Sequence, residues 1–242
     1  MDLKLTNITQ EYEQKKILNQ LNIEIKDKSG IAIIGPSGAG KSTLLRLISG
    51  IEDPLQGEIC LNHHEVTHED KKEYFKKIGF VFQSHNLFPH LSIQRNITLV
   101  LEKVHHLSLD EANQRAIDLL EQFELIEHKD KIPAKISGGQ AQRASIIRSL
   151  AIQPEVVFLD EPTSALDPIL SQEVLKTILK LRDKKMNFMI VTHEIEFAKK
   201  AADYVIFMEN GNIIEHGMID LLNNPQTEQL KRFIKNVSYD MI

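Results

Sequence analysis

Apolar residues in this chain fall into two patterns. Leu3 to Ile8 and Leu21 to Ile25 alternate apolar with polar positions, which predicts antiparallel strands with one solvated face. Ile31-Ala-Ile-Ile34 is instead a continuous apolar run, and the pattern recurs at Ile78-Gly-Phe-Val-Phe82, Val156-Val-Phe-Leu159 and Asn187-Phe-Met-Ile-Val191. Such runs mark strands covered on both faces, as in a mainly parallel sheet. Gly57 to Leu61 reads as one more short strand, and Tyr204 to Met208 with Asn212 to His216 as two strands joined by a turn at Asn210-Gly211. From Asn86 to Leu150 the period becomes helical. There Ser108-Leu-Asp-Glu111 is a capping box, and Ala112, Ala116, Leu119, Leu120 and Phe123 mark the apolar side of the helix it starts. Pro133 ends that region, and Ser137-Gly-Gly-Gln140 opens another helix reaching about Leu150. Asp167-Pro168 supplies an N-cap and a first-turn proline for a helix to about Leu181, and Thr227 to Val237 reads as a closing helix. The polar stretch from Asn62 to Lys77 is expected to end in a helix from Glu69 to Lys77. Its His63, His64, Glu65 and His68 match no metal pattern and read as solvated surface.

Composition narrows the picture. The 242 residues carry a formal charge of −5, with Lys and Arg dispersed along the chain, so no basic stripe is present and nucleic acid is not an expected partner. The single cysteine, Cys60, allows no internal disulfide and fits a reducing compartment as a small buried residue. No stretch approaches the ~18 apolar residues of a membrane span, and Met1 to Asn7 lacks a basic region leading into an apolar run. The chain is therefore expected to be soluble and cytoplasmic, which leaves room for a membrane-embedded partner.

The chemistry centres on Gly35, Pro36, Ser37, Gly38, Ala39, Gly40, Lys41, Ser42 and Thr43, which fit the G-x-x-x-x-G-K-[ST] pattern of a P-loop between an apolar strand and the helix-like Leu44 to Ser49. Glycines let successive backbone N–H groups turn inward around a phosphate, and the helix that follows directs its dipole to the same place. Lys41 is expected to reach the β- and γ-phosphates and the Ser42 hydroxyl to bind Mg²⁺. A second signal is Asp160-Glu161 at the end of a buried strand: one carboxylate there can hold Mg²⁺ and the next can face an attacking water. Gln83 and His193 follow the other buried strands, and all three strand ends are expected to line one sheet edge near the P-loop. Tyr12, before a strand, reads on spacing alone as a packing residue.

The order of these motifs, with Ile136-Ser-Gly-Gly-Gln140 and Ser164-Ala-Leu-Asp167, resembles the nucleotide-binding subunit of ATP-binding cassette (ABC) transporters over nearly the whole chain. The resemblance implies an α/β fold: a P-loop NTPase core with a mainly parallel sheet (1–85 and 151–242), an N-terminal antiparallel β subdomain, and an inserted α-helical subdomain (86–150) carrying the signature. It implies that Tyr12 stacks on adenine, that Asp160 holds Mg²⁺ with Ser42, that Gln83 touches Mg²⁺ and the attacking water, that Glu161 is the general base, and that His193 contacts the γ-phosphate. Ser137, Gly138, Gly139 and Gln140 would serve ATP held on the opposite subunit, with Asp167 crossing the same interface. The implied partners are a second copy of the chain joined through two ATP molecules, integral membrane permease subunits and a solute-binding protein, with the chain on the cytoplasmic face of the membrane. Asn86-Leu-Phe-Pro-His90, Asn224-Pro-Gln-Thr227 and Arg232-Phe233 are similar to those of bacterial polar amino acid uptake ATPases. Ile136, Ala141 and Ser84-His85 depart from that pattern; the first two leave the phosphate-contacting positions intact, while the last bears on the substrate. An ABC system for lipoprotein release, export or cell division is the alternative, and a soluble non-transport ABC ATPase the more distant one.

Overall fold

The computed structural model describes residues 1–67 and 70–239. In chain order the elements are β1 (Leu3–Tyr12), β2 (Lys15–Ile25), β3 (Gly30–Ile34), α1 (Lys41–Ile48), β4 (Gln56–Leu61), β5 (His64–Glu65), α2 (Lys71–Tyr74), β6 (Ile78–Val81), α3 (Ile93–Lys103), α4 (Leu109–Gln122), α5 (Gly138–Ala151), β7 (Val156–Asp160), α6 (Pro168–Asp183), β8 (Asn187–Val191), α7 (Ile195–Ala201), β9 (Tyr204–Glu209), β10 (Asn212–Met218) and α8 (Glu228–Tyr239). They form two compact units, one of Met1–Tyr74 with Leu181–Ile242 and one of Phe75–Lys180.

The first unit contains two sheets. An antiparallel sheet runs β2-β1-β4-β5, with Leu5 opposite both Ile23 and Ile59. Alternate residues of β1 and β2, among them Leu3, Leu5, Leu21, Ile23 and Ile25, are buried, as the polar and apolar alternation predicts. In the other sheet β3 lies between β8 and β9, parallel to both, with Ile33 opposite Val191 and Ile206. All five β3 residues are buried, which accounts for the unbroken apolar run. β10 returns antiparallel along β9. Asn210 and Gly211, at φ 49° and 75°, make the tight turn that the Asn-Gly pair signals.

Four expectations change here. Cys60, expected to be buried, is only half-buried on β4. The helix foreseen from Glu69 to Lys77 is only the four residues of α2; His68 and Glu69 lie outside the described residues. Tertiary bonds hold this short turn in place: the buried Tyr74 hydroxyl donates to Ile48 O at 3.3 Å, and Lys71 Nζ donates to Gly50 O at 3.1 Å and pairs with Asp53 at 2.7 Å. His64 and Glu65 are a short strand beside Leu61 and Cys60, although the sequence around them reads as polar surface. Tyr12 is the last residue of β1, opposite Lys15, instead of lying between strands.

The second unit pairs β6 and β7 in parallel, with Val81 opposite Leu159, and packs α3, α4 and α5 together. The Ser108 and Glu111 capping box is formed, and Ala112, Ala116, Leu120 and Phe123 are buried while Leu119 is half-buried. The loop before α3 is held by one fully buried side chain. Asn96 Oδ1 accepts from Phe88 N at 2.7 Å, and its Nδ2 faces Phe88 O at 3.2 Å, Leu91 O at 3.2 Å and Ser92 O at 3.0 Å. Replacing Asn96 by leucine leaves the Phe88 N–H without that acceptor, and a buried unsatisfied group costs about 1–3 kcal/mol. Urea unfolding of Asn96→Leu is therefore expected to show a loss of about 2–4 kcal/mol. A loss below about 0.5 kcal/mol would contradict this role.

Candidate nucleotide site

The predicted phosphate loop lies between β3 and α1 and is fixed by its neighbours in the first unit. Gly35 has φ 149°, and a Cβ there would fall 2.1 Å from Met208 O, so the loop leaves β3 through a space only glycine fits. Gly40 caps α1 in the left-handed region at φ 93°, with Leu18 Cδ2 2.6 Å from where a Cβ would stand. The β9–β10 turn closes against the loop, Gly211 N donating to Ala39 O at 3.2 Å and accepting at its own oxygen from Asn19 N at 3.0 Å. α1 has no side-chain cap and no acidic residue in its first turn. Its N-terminus thus presents a positive dipole end to which the protein brings no carboxylate of that turn, and Gly38 has open space on its Cβ side. The loop therefore fits a phosphate group.

Lys41, 5% exposed, points its Nζ into this loop, donating to Gly35 O and Pro36 O at 2.9 Å each. Thr192 N donates to Ile33 O at 3.2 Å, which sets the end of β8 beside the start of the loop. His193 follows there, exposed, ahead of α7. Tyr12 is half-exposed and its hydroxyl donates to Glu52 Oε2, the same carboxylate group that approaches Arg46 at 3.6 Å. Burial raises the pKa of the Tyr12 hydroxyl, the Glu52 carboxylate adds to the rise, and Gln10 and Thr43 oppose it.

In the second unit, parallel β6 and β7 bring Gln83 and Asp160-Glu161 to one end of the pair. Asp160 is the last residue of β7 and 3% exposed, whereas Gln83 is exposed. Glu161 takes a left-handed conformation at φ 43°, rare for a non-glycine residue, and its carbonyl accepts from Ser164 N at 3.2 Å and Ser164 Oγ at 3.0 Å. The backbone at the carboxylate is thus held in a strained turn, a feature that clusters at functional positions. Asp167 caps α6, its Oδ1 accepting from Ile169 N and Leu170 N at 3.0 Å each.

The Ser137 to Gln140 segment opens α5 with a full capping box: Ser137 Oγ accepts from Gln140 N at 3.1 Å and Gln140 Oε1 from Ser137 N at 3.0 Å. A Cβ on Gly138 would sit 3.1 Å from Leu166 Cδ2, and one on Gly139 3.0 Å from Leu170 Cβ, so small residues let α5 start against the segment after Glu161. Two side chains of α5 also hold the chain after β6. Gln142, 4% exposed, donates to Phe82 O at 2.9 Å, and Arg148 donates to Asn86 O at 2.9 Å and His85 O at 3.4 Å. Burial lowers the His85 pKa, with the Arg148 guanidinium adding to the effect, and burial lowers that of Arg148 itself.

Sequence reasoning missed Gln142, Arg148 and the Ser137 capping box. The S-x-x-Q spacing signals the last of these. The other two bridge some 60 residues of chain and leave no local pattern.

Comparison with known proteins identifies the family. A family model described as ABC transporter matches residues 18–164. The chain is 42% identical over 241 residues to the probable amino-acid import ATP-binding protein YxeO of Bacillus subtilis (strain 168), covering 97% of both proteins. It is 40% identical to the glutamate/aspartate import ATP-binding protein GltL of Escherichia coli (strain K12), covering 97% of this chain and 99% of the relative. Among solved structures, the dimeric post-hydrolysis state of the ATP-binding cassette MJ0796 bound to ADP and Pi superposes with a TM-score of 0.79 at 32% identity, covering 90% of this chain and 98% of that one. With its phosphate loop, its signature helix start and this likeness over nearly its whole length, the chain belongs to the ABC transporter family.

Proposed function

We propose that this chain is the ATP-binding and ATP-hydrolysing subunit of a membrane transporter and that it powers uptake of polar amino acids. The observation that carries the reading is the 40–42% identity, over 97% of the chain, to import ATP-binding proteins from two organisms. Among the described residues no helix is long and apolar enough to cross a membrane, so the membrane path belongs to separate permease subunits in this reading. The chain sits on their cytoplasmic face, with a solute-binding protein delivering the amino acid. Residues 1–85 and 151–242 act as the catalytic core and 86–150 as the helical subdomain that presents the signature.

The site residues take the following roles. The backbone of Gly35 to Thr43 surrounds the ATP phosphates, and Lys41 exchanges its two carbonyl partners for the β- and γ-phosphates. Tyr12 lies against the adenine. Ser42, Asp160 and Gln83 are the residues that would hold Mg²⁺, which supplies charge neutralisation on the phosphates. Among the described residues no group of three or more His, Cys, Asp or Glu gathers to hold a metal ion, and an ion held by one hydroxyl, one carboxylate, one amide and phosphate oxygens requires none. Glu161 accepts the proton of the attacking water, and His193 donates to the γ-phosphate. Ser137, Gly138, Gly139 and Gln140 offer the capped start of α5 to the ATP of a second copy, and Asp167 meets that copy too. Phosphoryl transfer depends on position and charge neutralisation more than on covalent chemistry, which suits a site completed by assembly.

Glu161→Gln removes the base while keeping the side chain's shape. Phosphate release by this variant is expected to fall at least about 100-fold with ATP affinity little changed; undiminished release would refute the general-base role. The transport reading is tested by purifying the tagged chain from detergent-solubilised membranes. A multi-span permease is expected to accompany it, and its consistent absence alongside soluble partners would overturn that reading.

A further inference from the structure

Ahead of the signature lies a side chain that none of these roles uses. His128 ends a short 3₁₀ turn, Ile126–His128, in the same unit as α5. Its Nε2 lies 3.0 Å from Gln140 Nε2, and its Nδ1 lies 3.0 Å from Lys131 Nζ. The other end of the Gln140 amide decides what the ring must do. Gln140 Oε1 is taken by the Ser137 N–H, so only the amide nitrogen faces His128. An amide nitrogen donates and does not accept. Two donors thus face the ring, the Gln140 amide at Nε2 and the Lys131 ammonium at Nδ1, and an uncharged imidazole accepts at one nitrogen only. Lys131 is exposed and can turn its ammonium to water, whereas the Gln140 amide is tied at Oε1 to the Ser137 N–H, so Nε2 is assigned as the acceptor. The turn carrying the ring is also anchored, since Ile93 N donates to Lys131 O and Gln94 N to Lys129 O, both at 2.9 Å.

We infer that His128 is a positioning residue for the signature. By accepting from Gln140 it fixes the amide that holds the Ser137 backbone, and through it the direction of the Ser137 hydroxyl and of the first N–H groups of α5. A glutamine at this helical position is otherwise free to rotate its amide into water, which would open the capping box. The inference rests on the proposed role of Ser137 at the ATP of a second copy: it names what keeps that group in place.

Three substitutions separate hydrogen-bond acceptance from packing. His128→Gln retains an acceptor, His128→Leu removes it, and His128→Lys keeps a polar chain that can only donate. Steady-state hydrolysis by the purified chain is measured across ATP concentrations at one protein concentration, with thermal unfolding followed in parallel to verify folding. In His128→Leu and His128→Lys the kcat is expected to fall about three- to tenfold with KM little changed, and in His128→Gln to stay within about twofold of native. The inference is overturned if His128→Leu or His128→Lys matches His128→Gln, whether all keep activity or all lose it. Ser137→Arg is assayed alongside. Undiminished hydrolysis there removes the signature reading itself, whereas loss there with three equivalent His128 variants removes only the role of His128.

Discussion

An α-helix leaves its first N–H groups without intrahelical partners, and this chain treats that constraint in opposite ways at two places. α1 begins at a left-handed glycine with no side-chain cap and no acid in its first turn. α5 begins at Ser137 with both bonds of a capping box made. An uncapped start is one that a phosphate can complete, while a capped start is rigid before any ligand arrives. The proposed division of labour follows: α1 receives the chain's own nucleotide, and α5 presents a preformed edge to another.

The second unit is organised around α5. The helix is buried on nearly all sides, and polar residues inside that burial, Gln142 and Ser145 among them, show that its surroundings are not simply oil-like. Gln142 and Arg148 hold the chain on either side of Gln83 and Ser84, and the glycines at its start admit Leu166 and Leu170 from the segment after Glu161. One element thus contacts the two stretches to which the proposed mechanism assigns the metal and the attacking water. A shift of α5 would be felt at both, which gives the signature a physical route to the chemistry.

Much of this was legible in the sequence, and for definable reasons. Strands with two covered faces must be apolar throughout, so β3, β6, β7 and β8 stood out from composition alone. The Ser108 capping box and the Asn210-Gly211 turn are local chemistry, readable within four residues. What stayed hidden was polar and long-range. No local pattern singles out Asn96, yet it is fully buried and holds the loop before α3. His64 and Glu65 read as solvated and became a strand because β4 offered them a partner edge. The helix expected from Glu69 to Lys77 is the four residues Lys71–Tyr74, whose tyrosine is buried and donates to Ile48 O. Local pattern decides which elements form, and tertiary pairing decides where polar side chains spend their hydrogen bonds.

The central claim is that one chain carries only half of each ATP site, the phosphate loop on one copy facing the signature on another. Mixing two inactive chains, one with Lys41→Ala and one with Ser137→Arg, tests this most directly, because their heterodimer contains one site in which both halves are native. Steady-state hydrolysis is expected in the mixture where each chain alone shows none. If the mixture stays as inactive as its components while cross-linking shows that heterodimers form, the shared site is contradicted.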